Sequence, residues 1–327
     1  MKRETEVTRV ADEPDLRSET GLTSHVSRFT PFEGQTFRGA SAFARYASLV
    51  KLPHTVFALP FALLGVLAAA RVAPLTLRTV GLVVIAFSAA RFAAMGFNRI
   101  ADRVYDERNP RTRDREIPRG LIAVEAATAA VAAASIVFII AAGLLNSLCL
   151  VLSPVALAWI LAYSYAKQFT HWPHVWLGLS LAIAPVGGWL AVTGRWSEPW
   201  WLLLAIALAV LSWVAGFDVF YALADERFDR EAGLGSAAVR LGQSRAILFG
   251  KLLHGVTIPA LLLFGWGAGF GLWYMMGVGV AAAIIVYEHQ LVKPGDLSRL
   301  NAAFFTMNGV MSLVVFGFAV VDRVVGR

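Results

Sequence analysis

Nine apolar stretches of about 20 residues, separated by short charged or polar blocks, set the limits on what this chain can become. They run at roughly 54–70, 76–97, 121–142, 144–165, 174–193, 199–217, 246–267, 269–287 and 301–321. A helix of about 20 apolar residues crosses the hydrocarbon core of a bilayer. In lipid, every backbone polar group must find its partner inside the segment, so helices are the expected form. The predicted fold is therefore all-α, an integral membrane bundle of nine transmembrane helices. The third and fourth stretches, and the seventh and eighth, are joined by tight turns containing Asn or Gly and should pair as antiparallel hairpins.

Composition supports lipid as the solvent. Hydrophobic residues make up 57% of the 327, and charged residues only 16%, against about 25% in soluble domains. The formal net charge of +7 is explained by where the cations lie. With the N-terminus placed inside, the inner segments hold 23 of the 29 Lys and Arg and the outer segments five, while Arg91 falls within the second stretch. That is the positive-inside bias, and no nucleic-acid partner is needed to account for it. The expected topology is multi-pass, with the N-terminus and the charged loops cytoplasmic and the C-terminus on the opposite side. Membrane lipids are the expected surroundings.

Residues 1–44 are polar and rich in acids from Glu4 to Glu19. No apolar run follows Lys2 and Arg3, so a secretory signal is not expected, and the acids argue against a transit peptide. This segment should be a largely disordered cytoplasmic tail, with a short interfacial helix near 41–50. Residues 45–327 should form one transmembrane domain. Cys149 is the only cysteine and excludes a disulfide within the chain.

Two charged loops carry the chemistry, at 98–120 and 218–245. In the first, Asn98, Asp102 and Asp106 stand at i, i+4 and i+8. In the second, Asp218, Asp225 and Asp229 stand at i, i+7 and i+11, with Tyr221 between them. Either set lies along one face of a helix. Oxygens stacked in this way repel one another unless a divalent cation neutralises them. Mg²⁺ is usually held by one or two carboxylates, with substrate phosphates and water completing its shell. Two such faces opposite each other suit Mg²⁺ around a diphosphate, and the nearby arginines offer donors to phosphate oxygens. The loops fall four stretches apart, which points to two pseudo-repeats. The bland alternative is a pair of solvated cytoplasmic loops.

At these residues the chain resembles the UbiA superfamily of membrane prenyltransferases. Asn98-x3-Asp102-x3-Asp106 and Asp218-x2-Tyr221-x3-Asp225-x3-Asp229 look like its two aspartate-rich motifs. Arg111-Thr112-x2-Arg115-x2-Pro118 is similar to the segment that comes after the first motif. Tyr163-Ser-Tyr-Ala-Lys167-Gln-Phe-Thr170 resembles the segment after the fourth helix, and His54–Leu63 resembles the first helix of quinone-pathway members. Arg99 stands where some members have Asp, and Gln168 where a second basic residue is common. The resemblance implies nine helices around a central cavity and the use of Mg²⁺. It also implies transfer of a prenyl group from an isoprenyl diphosphate to a small aromatic acceptor.

On that basis Asp102, Asp106, Asp225 and Asp229 are the expected catalytic residues, and with Asn98 and Asp218 they form the expected metal-binding set. Asn98, Arg115, Lys167, Asp218 and Tyr221 are expected around the diphosphate. Arg91, about two turns before Asn98, and His54 are candidates for the acceptor. 4-Hydroxybenzoate is the first acceptor to consider, in ubiquinone or menaquinone biosynthesis, with futalosine-type and naphthoate acceptors as alternatives. A cation-coupled transporter is the reading from another class. It would set its acids near mid-membrane on broken helices, whereas these acids fall at span ends. His171, His174, His254 and His289 lack metal-ligand spacing and read as interfacial. Gly187 and Gly188 read as allowing close helix contact or turns.

Overall fold

A computed structural model describes residues 41–292 and 308–326, and within them every side chain except those of 43 and 52–57. Fourteen helices are described: α1 Ala42–Leu49, α2 Leu52–Ala69, α3 Leu77–Ala101, α4 Arg103–Arg108, α5 Val124–Leu145, α6 Ser147–Ala162, α7 Ala166–Phe169, α8 Pro173–Thr193, α9 Trp201–Ala222, α10 Glu226–Glu231, α11 Ala237–Leu241, α12 Gln243–Gly267, α13 Leu272–Leu291 and α14 Asn308–Val325. No strand occurs among the described residues. The disorder expected for 1–44 falls outside the described residues up to 40. The short helix expected near 41–50 is α1, whose first turn is capped by the Ser41 hydroxyl.

Eight helical spans among the described residues are long and apolar enough to cross a membrane. The expected count of nine is corrected to these eight and one shorter apolar helix, Ala58–Ala69 within α2. The helix α2 itself spans 18 residues, and the side chains described within it are those of 58–69.

Two spans are tightened near one end by a single turn of 3₁₀ helix. Tyr163–Tyr165 separates α6 from α7, and Leu223–Asp225 separates α9 from α10. Caps fix where helices begin. Asn146 takes the amide of Cys149 at 2.9 Å on its Oδ1, and its Nδ2 donates to the Leu190 carbonyl at 2.9 Å, so one residue starts α6 and ties the α5–α6 hairpin to α8.

The helices α2, α8, α9, α12, α13 and α14 pack successively and close on α2, while α3 and α5 pair alongside. The central element is α9, which buries Leu203, Ile206, Val214 and Val219 completely. By contrast α6 leaves Val151 and Val155 about two-thirds exposed. Such apolar outer surfaces, shared by α5, α12 and α13, are stable against lipid and not against water. Close approach of α2 and α8 depends on glycine. A Cβ at Gly65 would collide with the Pro185 carbonyl, and one at Gly188 with the Ala62 carbonyl. Small residues let membrane helices gain van der Waals contact where no hydrophobic drive exists between them.

Candidate functional site

The two aspartate motifs face each other across one cavity. Asn98 lies in the last turn of α3, Asp102 ends it, and Asp106 lies in α4. Asp218 lies in the last turns of α9, Asp225 closes the 3₁₀ turn, and Asp229 lies in α10. The second motif thus continues a membrane span instead of forming a free loop. Both motifs end in a short helix after the span. All six side chains, with Arg115, Lys167 and Tyr221, line the same cavity.

Each carboxylate has a partner. Asn98 Nδ2 donates to Asp102 at 2.9 Å. Arg115 donates to Asp106 Oδ1 at 2.6 Å. Lys167 Nζ lies 3.0 and 3.3 Å from the two oxygens of Asp229. Arg111 grips Asp225 by both oxygens, with Nε at 2.9 Å, while its third nitrogen donates to the Tyr221 hydroxyl at 2.6 Å. Asn109 adds a bond to Asp225 at 3.3 Å. Asp218 accepts from His174 Nδ1 at 2.7 Å.

Burial and charge set what the cavity can hold. Burial and the neighbouring Asp106 carboxylate push Asp102 up to about 6. Asp106 is 5% exposed, and its Oδ2 is buried without a partner among the described residues. A carboxylate oxygen can only accept, so that atom wants a cation or a donor. Among the described residues no three acidic, His or Cys side chains converge closely enough to cage an ion alone. The donor set therefore fits an ion such as Mg²⁺ that completes its shell with water and substrate phosphates.

Of the two acceptor candidates, Arg91 is not among the residues that line this cavity. Arg91 sits seven residues before Asn98 on α3, about 10 Å along the helix, with its Nε buried and unpartnered among the described residues. His54 belongs to α2, and its side chain is outside the described set.

Comparison with known proteins points the same way. Residues 58–310 match the model of the UbiA prenyltransferase family. The chain belongs to that family. As a UbiA member it is a multi-pass membrane prenyltransferase. Among curated relatives, a 4-hydroxybenzoate octaprenyltransferase of Aromatoleum aromaticum is 31% identical over 234 residues, covering 72% of this chain and 78% of that protein. One from Coxiella burnetii is 29% identical over 233 residues, covering 71% and 80%. The apo structure of a UbiA homolog from Aeropyrum pernix K1 superposes with a TM-score of 0.76 at 32% identity, over 83% of this chain and 98% of that one. A UbiA homolog from Archaeoglobus fulgidus, bound to DMAPP and Mg²⁺, has a TM-score of 0.65 at 18% identity, over 86% and 99%. That second likeness speaks to the fold alone.

Several site residues are not singled out by the sequence pattern. Arg111 enters it only as part of a motif, yet it is the main partner of Asp225. His174 reads as interfacial, but it is 1% exposed and bonded to Asp218. Outside the cavity, His254 also reads as interfacial but is buried, bonded to His289 and to the Trp213 carbonyl. Position at the start of the fifth span, just after the Lys167 segment, is the one signal that could have marked His174.

Proposed function

We propose that this UbiA-family enzyme transfers a polyprenyl group from an isoprenyl diphosphate to a carboxylate-bearing aromatic ring, with 4-hydroxybenzoate as the first acceptor to test. The observation that carries the acceptor class is Arg91. A guanidinium at membrane level with a buried nitrogen that has no partner among the described residues is costly, and a carboxylate ligand recovers that cost with charge-assisted bonds. The named relatives support the same choice, since they are 4-hydroxybenzoate octaprenyltransferases.

In this reading Asn98, Asp102, Asp106, Asp218, Asp225 and Asp229 hold Mg²⁺. When bound, the ion neutralises charge that collects on the diphosphate as the allylic C–O bond breaks. Arg115, Lys167 and Arg111 line the cavity and supply donors to the phosphate oxygens. Tyr221 orients Arg111 through its hydroxyl and through the guanidinium lying 5.0 Å over its ring. The apolar bundle keeps water from the electrophilic prenyl carbon. The site and the N-terminus face the cytoplasm, in line with the distribution of Lys and Arg.

The test uses detergent-purified protein with radiolabelled geranyl or farnesyl diphosphate and 4-hydroxybenzoate, with Mg²⁺ or EDTA, beside Asp102→Ala and Asp225→Ala. A prenylated product that needs Mg²⁺ and vanishes in both variants supports the reading. Diphosphate release without product moves the acceptor to futalosine-type or naphthoate compounds. If neither product nor diphosphate forms in folded protein, the prenyl-transfer reading is wrong for this chain.

A further inference from the structure

His174 is the second residue of α8 and is 1% exposed. Its two ring nitrogens face different parts of the chain. Nε2 accepts the backbone N–H of Ala237 at 3.1 Å, so that nitrogen carries no proton. In a neutral imidazole the proton then sits on Nδ1, which donates to Asp218 Oδ2 at 2.7 Å. The geometry fixes one tautomer and gives the ring no rotational freedom.

Ala237 begins α11, in the segment beyond the second aspartate motif. The same segment is stitched to the Lys167 turn, because Gly235 N–H donates to the Lys167 carbonyl at 2.6 Å. A Cβ at Gly235 would strike the Thr170 carbonyl. Two residues that hold second-motif aspartates, Lys167 on Asp229 and His174 on Asp218, are therefore both bonded to the chain just beyond that motif, Lys167 through its backbone carbonyl and His174 through its ring.

We propose that His174 is a positioning residue for the reaction. It orients the Asp218 carboxylate toward the ion-bound diphosphate and couples that orientation to the 233–237 segment. The inference rests on the reading of Asp218 as part of the ion-binding set. A donor on the back of a carboxylate leaves its other lone pairs directed at the cation, and such supporting bonds tune metal affinity.

The test measures binding as well as turnover, on the full chain in detergent. Calorimetry tracks geranyl diphosphate binding at graded Mg²⁺, and melting without Mg²⁺ reports folding. His174→Leu should raise the Mg²⁺ needed for half-maximal binding about 10- to 100-fold, with a smaller fall in kcat at saturating Mg²⁺. His174→Asn should recover most of the loss. Its Nδ2 is the same number of bonds from Cα as Nδ1 of histidine, so it keeps the donor to Asp218 while losing the acceptor for Ala237. On an Asp218→Ala background, His174→Leu should add nothing further.

A folded His174→Leu protein with the wild-type Mg²⁺ midpoint overturns the proposal. So does a midpoint shift that persists in full on the Asp218→Ala background, which marks a purely structural role. If His174→Leu does not fold, His174→Asn decides: a midpoint near wild type supports the proposal, and one as poor as Asp218→Ala overturns it. If Asp218→Ala alone leaves the midpoint unchanged, the reading of Asp218 fails first and the inference falls with it.

Discussion

Arg111 and Asp225, 114 positions apart, are joined by a two-pronged ion pair that ties the segment after the first motif to the second. Asp225 is buried at 7% exposure. Removing the guanidinium leaves a charge with too few partners, which is the costly way to break such a pair.

Arg111→Leu should therefore lower the melting temperature of metal-free protein. Addition of Mg²⁺ with geranyl diphosphate should close part of the gap, because the ion neutralises Asp225 instead. Arg111→Lys keeps the charge but not the fork, and loss of one charge-assisted bond should cut kcat/KM by about tenfold. Equal melting of wild type and Arg111→Leu would show that the pair contributes nothing.

Asp102 carries a stability cost that depends on pH. Its folded value of about 6 lies above the usual carboxylate value of 3.8. A raised carboxylate means the folded state binds the proton more tightly, so stability is lost as pH rises through about 6 and is regained toward 4. Asp102→Asn should then melt higher than wild type at pH 7.5 without metal. The difference should shrink as the pH approaches 5, where the wild-type side chain is already protonated. Activity should be lost at every pH. Melting curves in EDTA across that range check the sign.

Arg91→Met should separate the two substrates. Removing a buried nitrogen with no partner among the described residues should raise the melting temperature, while the KM for 4-hydroxybenzoate rises by about tenfold or more, the cost of one charge-assisted contact. Mg²⁺-dependent geranyl diphosphate binding should stay at the wild-type level. An unchanged acceptor KM would remove Arg91 from the acceptor site.

Gly65→Ala should destabilise by about 1–3 kcal/mol, the usual cost of overpacking, because the new methyl group meets the Pro185 backbone and not a side chain that could turn away. Gly187→Ala, on the same helix as Gly188 but with nothing near its Cβ position, is the control and should melt like wild type. Of the pair, Gly188 makes a close helix contact and Gly187 does not.

The spans, the two acidic faces and the basic partners Arg115 and Lys167 were legible because each depends on local periodicity or on charge at a span end. The partnership between Arg111 and Asp225 was not, since nothing local relates residues 114 positions apart. His174 was hidden for a different reason. Its partners are one carboxylate and one backbone N–H, and a histidine used in this way leaves no ligand spacing to read.

The 3₁₀ turn at Leu223–Asp225 changes the bearing of the helix beyond it. Each residue in such a turn advances about 120° around the axis instead of about 100°, so three residues swing the rest of the helix through roughly 60° more. Along an unbroken α-helix, Asp218, Asp225 and Asp229 would stack in a column. Past the turn, the later two fan sideways around the helix. A column can line a channel through which ions pass in single file, whereas a fan surrounds one compact polyanion.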